Sequence, residues 1–161
     1  VINRKKNIID ELEKAGAETV AFYQSLTPDE LDVPVYTEEV RWTVRQVLAH
    51  FITIEQSMQW LFNNILAGGP GSPENFDLDH FNRTQPAKLD GLSLEELLER
   101  FKEVRKKTIA IVAGMTEADF DRTGRHAFHG HGKLERFIRW AYEHQRLHTK
   151  DIQKALRVTE K

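Results

Sequence analysis

The sequence predicts an all-α protein, a four-helix bundle with a long crossover between helices two and three. Three observations carry that prediction. Four long segments repeat apolar residues with the 3.6-residue period of amphipathic helices, no apolar–polar alternation runs longer than a few residues, and a proline-bearing polar stretch separates the second segment from the third. At 161 residues the chain reads as one domain spanning 1–161. A chain of this size buries roughly 70% of its unfolded surface, enough for a real core.

The first helix is expected from about Arg4 to Leu26, with Ile8, Leu12, Ala15, Thr19, Phe22 and Leu26 on one side. Thr27-Pro28-Asp29-Glu30 stops it and starts a short helical piece, with Pro28 suited to a first turn and Thr27/Glu30 forming a capping box. Helix two opens at a second capping box, Thr43-Val44-Arg45-Gln46. It carries Val44, Val47, Leu48, Phe51, Ile54, Met58, Leu61, Phe62 and Ile65 until Gly68-Gly69-Pro70-Gly71 breaks it.

Residues 67–92 are polar and contain Pro70, Pro73 and Pro86, an unusually long connection for a compact domain. At about 3.3 Å per residue the stretch could traverse the roughly 36 Å of a helix of about 24 residues, so helices two and three can run parallel. Helix three starts at Ser93-Leu94-Glu95-Glu96 and carries Leu94, Leu97, Leu98, Phe101, Val104, Thr108, Ile111 and Val112 up to Gly114. A further short turn is expected over 115–120. Helix four follows Gly132 and runs from about Lys133 to Arg157, with Leu134, Phe137, Ile138, Ala141, Ile152, Ala155 and Leu156 inward and Arg139, Glu143, Arg146 and Lys150 outward.

Composition narrows the function classes. The balance of 23 Lys+Arg against 25 Asp+Glu, net −2, offers no basic field for nucleic acid or an anionic membrane. No run approaches the roughly 18 apolar residues of a membrane span. With no cysteine, disulfides, thiolate metal sites, iron–sulfur clusters and a cysteine nucleophile are excluded together. Val1-Ile2-Asn3-Arg4-Lys5-Lys6 is charged and lacks an apolar signal core, so a cytoplasmic location is expected; the missing initiator Met points to a trimmed start.

The unusual resource is histidine, seven in all. His144 and His148, spaced i, i+4, project from one face of helix four. His148 falls inside the stripe of Leu134, Ala141 and Ile152, with His144 on its margin. His50 borders the apolar stripe of helix two. Packed side by side, the two helices would let three imidazoles converge on one metal ion with an open position, the layout of a catalytic divalent site. An i, i+4 pair is common by chance among seven histidines, so spacing alone leaves open hydrogen-bonded core or surface histidines instead. His144-Gln145-Arg146-Leu147-His148 has zincin spacing, but Gln145 stands where that motif needs its glutamate base, which argues against a metalloprotease. A Glu-x-x-His di-iron motif, a phosphate-binding glycine loop and a Gly-x-Ser-x-Gly elbow are all missing.

Three separated elements, in order, resemble the DinB-like family. Trp42-Thr43-Val44-Arg45-Gln46-Val47-Leu48-Ala49-His50 is similar to that family's opening of helix two. Phe76-Asp77-Leu78-Asp79-His80-Phe81-Asn82 is similar to its crossover segment, and Trp140 to His148 with the following Ile152 to its last long helix. Gly124-Arg125-His126-Ala127-Phe128-His129-Gly130 sits where members often carry His-Pro-x-x-Gly, with Ala127 in place of proline. The resemblance covers nearly the whole chain. It implies a four-helix bundle with a crossover and one divalent metal on His50, His144 and His148. It also implies a small-molecule reaction: a transfer or isomerisation using a small thiol, or a hydrolysis. Non-catalytic binding of a metal or small molecule is the alternative.

Three neutral imidazoles leave an ion its full double charge, able to acidify a thiol or water; with no cysteine present, any thiol would be exogenous. All-nitrogen ligation fits Zn, Ni, Fe or Co. Glu55, facing the helix-two stripe, is a candidate proton carrier or partner of a metal ligand, or else half of a salt bridge to an interior Arg or Lys. Asn82 and His80 are candidates to line a pocket, and His126, His129 and His131 cluster just before helix four. Trp60 projects away from the core stripe and is a candidate homodimer contact.

Overall fold

The computed structural model describes residues 3–159. Its four long helices are α1 (Arg4–Gln24), α3 (Val44–Leu66), α5 (Leu94–Ala113) and α6 (Leu134–Thr159), which are helices one to four of the sequence reading. A four-residue helix, α2 (Pro28–Leu31), follows α1 behind the Thr27/Glu30 capping box. The Thr43/Gln46 box opens α3. Ser93 caps α5 through the amide of Glu96. The crossover holds a further helix, α4 (Leu78–Thr84), capped by Asp77, and a 3₁₀ turn over Pro86–Leu89. A second 3₁₀ turn, Glu117–Asp121, occupies the short turn expected after α5.

Cross-helix bonds fix the directions. Gln46 reaches Asp90, and Glu55 reaches Arg105, so positions ascend together and α3 runs parallel to α5. Lys5 reaches the Ala113 carbonyl and Leu12 the Arg105 side chain, so α1 is antiparallel to α5. Arg4 meets Glu135 and Glu11 meets Arg146, so α1 and α6 are parallel. The bundle is up, down, down, up, and the crossover is what carries the chain back to start α5 beside the start of α3.

The interior divides into two apolar clusters. Ile8, Leu12, Phe62, Phe120 and Phe137 pack towards one end, and Tyr23, Leu48, Phe51, Phe101 and Ile152 towards the other. Between them Arg105, 4% exposed, joins all four helices. It donates to both Glu55 oxygens at 2.8 and 2.9 Å, to the Leu12 carbonyl at 2.8 Å and to Gln145 Oε1 at 2.6 Å. Thr108 adds a 2.7 Å bond to the same carboxylate. A buried charge pair needs such complete hydrogen bonding to offset its desolvation.

Two small hairpins were not anticipated from the sequence. β1 (Pro34–Tyr36) pairs with β2 (Trp42–Thr43), and β3 (Thr123–His126) with β4 (Gly130–Lys133). Two to four residues are too few to register as alternation. The crossover is stitched to β3: Arg125 donates to the Pro70 carbonyl and Ser72 to the Arg125 carbonyl, each at 2.8 Å. At the stitch Gly71 has φ +92°, and a Cβ there would overlap the Arg125 backbone. Gly124 lies so close to α3 that a Cβ would sit 2.6 Å from Ile65 Cγ1. Both contacts draw the hairpin and crossover over one side of α3. Trp60, on the same helix, is 54% exposed, outside the core as its phase predicts.

Candidate metal centre

The antiparallel crossing of α3 and α6 sets His50, two turns into α3, opposite His144 and His148. His144 Nε2 lies 3.2 Å from His50 Nε2 and 2.9 Å from His148 Nε2. The three ligand nitrogens all fall within 4.8 Å of one another.

Neighbouring rings and bonds fix these orientations. The Trp42 indole, delivered by β2, stacks on His50 with centroids 4.4 Å apart and planes inclined by 28°. The Tyr36 hydroxyl, from β1, lies 2.6 Å from His148 Nδ1 and 2.6 Å from Asp151 Oδ2. A carboxylate only accepts, so the hydroxyl donates to Asp151 and accepts from the His148 Nδ1–H. The proton of a neutral His148 is therefore on Nδ1, and its Nε2 presents a lone pair to the centre. A carboxylate–hydroxyl–imidazole chain of this kind orients a metal-binding histidine and raises its basicity.

All three rings are neutral at neutral pH. Burial, reinforced by the other two imidazoles, holds His50 well below its ordinary value. Burial brings His144 down to about 3, with His148 adding to it. Burial likewise lowers His148 to about 4, partly opposed by Asp151. Three neutral imidazoles crowded nitrogen to nitrogen cannot satisfy one another, because His144 can donate to one neighbour at most. His50 Nδ1, buried, has no partner among the described residues. This donor set fits a divalent cation: the three Nε2 atoms cluster at one place, and neutral imidazole is the ligating form.

A cavity of about 390 Å³ opens onto the three histidines. Its walls include Trp42, Met58, Phe76, Phe128, Trp140 and Leu147, with Asn82 and His126 among the polar groups. The crossover thus contributes Asn82 through α4, and β3 contributes His126. His80, also on α4, is exposed and does not line the cavity; His131 is exposed and faces a different groove. His129 packs edge-on against Trp140, with centroids at 4.6 Å. Glu55 does not line the cavity either. Of the roles the sequence left open for it, the structure has the ion pair to an interior arginine, with both oxygens taken by Arg105 and Thr108. As a free proton carrier beside the histidines it has neither the position nor an unengaged oxygen.

Sequence reasoning missed Tyr36, Asp151 and the stacking role of Trp42. Asp151 was findable, since it follows His148 by three positions on the same helical face. Tyr36 left no periodic signal.

With this geometry in place, comparison with known proteins is decisive for the family. The family described as the DinB superfamily matches residues 9–152, from α1 to just beyond His148. This chain belongs to the DinB superfamily. Two solved structures share its fold. One is YfiT from Bacillus subtilis, described as a probable metal-dependent hydrolase with an unusual four-helix bundle topology. It aligns with TM-score 0.80 and 20% identity, covering 99% of this chain and 90% of that one. The other is an uncharacterised protein from Clostridium difficile 630, with TM-score 0.72, 15% identity and 98% of each chain covered. Comparison with curated proteins gave no significant match. No helix among the described residues is long and apolar enough to cross a membrane.

Proposed function

We propose that this DinB-superfamily protein is a metal-dependent hydrolase of a small molecule, with one divalent ion held by His50, His144 and His148. The observation that carries the reading is the convergence of three neutral imidazoles, through their Nε2 atoms, on a mostly apolar cavity. A bound Zn, Ni, Fe or Co ion supplies a Lewis acid that polarises a substrate oxygen and brings the acidity of water into the neutral range.

The chain's own residues do the rest. Tyr36 and Asp151 hold His148 in the tautomer that leaves Nε2 free, and Trp42 holds the plane of His50. Aromatic walls exclude bulk water, which strengthens every electrostatic interaction inside. In hydrolysis a water oxygen bonds to the electrophilic carbon, the bond to the leaving group breaks, and the water's proton passes to that group. YfiT's description as a probable metal-dependent hydrolase supports this choice of reaction.

A second reading is transfer to an exogenous small thiol at the same ion. Its support is that, among the described residues, the one carboxylate lining the cavity is Asp79, which is exposed, so no buried acid there stands ready to take a proton from water. The test is to strip metal with a chelator, reload with Zn, Ni, Co or Fe(II), and assay uncharged esters and amides with and without a small thiol. Turnover should return only with metal and be lost in His148→Ala. Thiol-independent turnover favours hydrolysis, and an absolute thiol requirement favours transfer. Undiminished turnover without metal contradicts both.

A further inference from the structure

We infer that the cavity takes an uncharged carboxamide with an aromatic or similarly flat apolar body, and that His126 anchors its carbonyl oxygen through Nε2–H. The inference deepens the hydrolase reading, on which it rests for what becomes of the carbonyl; binding itself is a property of the cavity walls.

The tautomer of His126 is set by its hairpin. Its Nδ1 accepts the backbone N–H groups of Phe128 at 3.0 Å and His129 at 3.1 Å. A nitrogen accepting two N–H bonds carries no proton, so the proton of the neutral ring is on Nε2. Protonating Nδ1 would set its N–H against two backbone N–H groups, which locks the ring as a neutral single donor. The ring is clamped beside His129 and Phe137, with centroids at 4.8 and 5.0 Å, and the residue is 8% exposed. Nε2 makes no hydrogen bond among the described residues, and His126 lines the same cavity as His144 and Trp140. A neutral N–H donor fixed at the wall of an apolar cavity is what a carbonyl oxygen needs.

The charge pattern narrows the ligand. Among the described residues no lysine or arginine lines the cavity, and Asp79 is its one carboxylate. In the metal-free protein a carboxylate or phosphate on the body of a ligand would be buried there with no cationic side chain on the cavity wall to pair with. The walls are flat: Phe128, 65% exposed at the mouth, stacks on Trp140 with centroids 5.7 Å apart and planes inclined by only 9°. The second polar point is Asn82, whose Oδ1 is buried without a donor among the described residues. A carboxamide answers both points, giving its carbonyl to His126 and its N–H to Asn82.

The test uses ¹⁵N-histidine-labelled full chain, stripped of metal and titrated with benzamide, methyl benzoate and benzoate while the imidazole nitrogens are observed by long-range NMR. His126 should show the Nε2–H tautomer throughout, and its Nε2 should shift on adding benzamide. Benzoate should bind at least about tenfold more weakly than benzamide, and His126→Phe should weaken benzamide by about tenfold, the worth of one hydrogen bond. His126→Gln guards against a folding defect: it should melt like wild type and recover part of the affinity. A proton on Nδ1, equal binding of benzoate, unchanged benzamide affinity in His126→Phe, or no response to either uncharged probe would overturn the inference. A parallel zinc titration separates the two claims. Failure to bind zinc removes the hydrolase reading while leaving the probe result intact, and failure of the probes leaves zinc binding untouched.

Discussion

Tyr36 and His148 meet from opposite ends of the sequence, and their single contact decides which nitrogen the histidine offers to the centre. Replacing Tyr36 with Phe removes the acceptor of the Nδ1 proton while keeping the ring. Zinc affinity measured calorimetrically should then fall by about 10- to 100-fold with stoichiometry unchanged. An unaltered affinity would mean that His148 is oriented by packing alone. The clustering of the three histidines was legible because helical geometry is periodic: i, i+4 spacing on α6 and the border position of His50 on α3 placed all three on facing surfaces. Tyr36 was not, because it reaches the site from a three-residue strand whose direction no local pattern encodes.

His126 gives a second test at this scale. Burial, together with His129 and Arg136, lowers it to about 4, against about 6.5 in an unfolded chain. Between those values the unfolded state binds more protons, so the stability contribution is complete above pH 6.5 or so and is lost as pH falls towards 4. In chelator, wild type should lose about 2 kcal/mol more than His126→Phe between neutrality and roughly pH 5 in urea melts. Parallel pH profiles would show that His126 titrates normally.

At the scale of elements, Arg105 does for the helices what a metal would do for the histidines. It ties α1, α3 and α6 to α5 next to Gln145, the residue after His144. Removing it by Arg105→Ala leaves the Glu55 carboxylate buried and unpaired, which should cost about 3–5 kcal/mol in urea unfolding. The double replacement Glu55→Leu/Arg105→Met should recover much of that loss. A cost below about 1 kcal/mol for the single change would show that water reaches the pair. The sequence disclosed an acid in the stripe of α3 but could not say which of the roles open to it the residue takes, because its partner Arg105 lies fifty positions away. Helix limits followed from capping boxes and glycine stops. The parallel course of α3 and α5 was permitted by the length of the crossover, and the bonds from Gln46 to Asp90 and from Glu55 to Arg105 establish it.

Across the whole molecule, the crossover and the β3–β4 hairpin are the parts that turn a bundle into a container. Without them the histidines would lie on an open helix surface; with them the centre sits under Asn82, His126 and Phe128. A divalent ion at the centre would link α3 to α6 and, through Tyr36, to the β1–β2 hairpin. Zinc at about one hundred times its Kd should therefore stabilise the fold by about 2.7 kcal/mol, and a chelator should reverse the gain.

The most direct measurement of the central claim is metal content by elemental analysis of untagged protein, wild type beside His144→Ala, after equilibration with zinc or nickel. Wild type should hold one ion per chain and His144→Ala none, with both retaining helical circular dichroism. An empty wild type, or an ion that survives the loss of His144, would contradict the three-histidine centre.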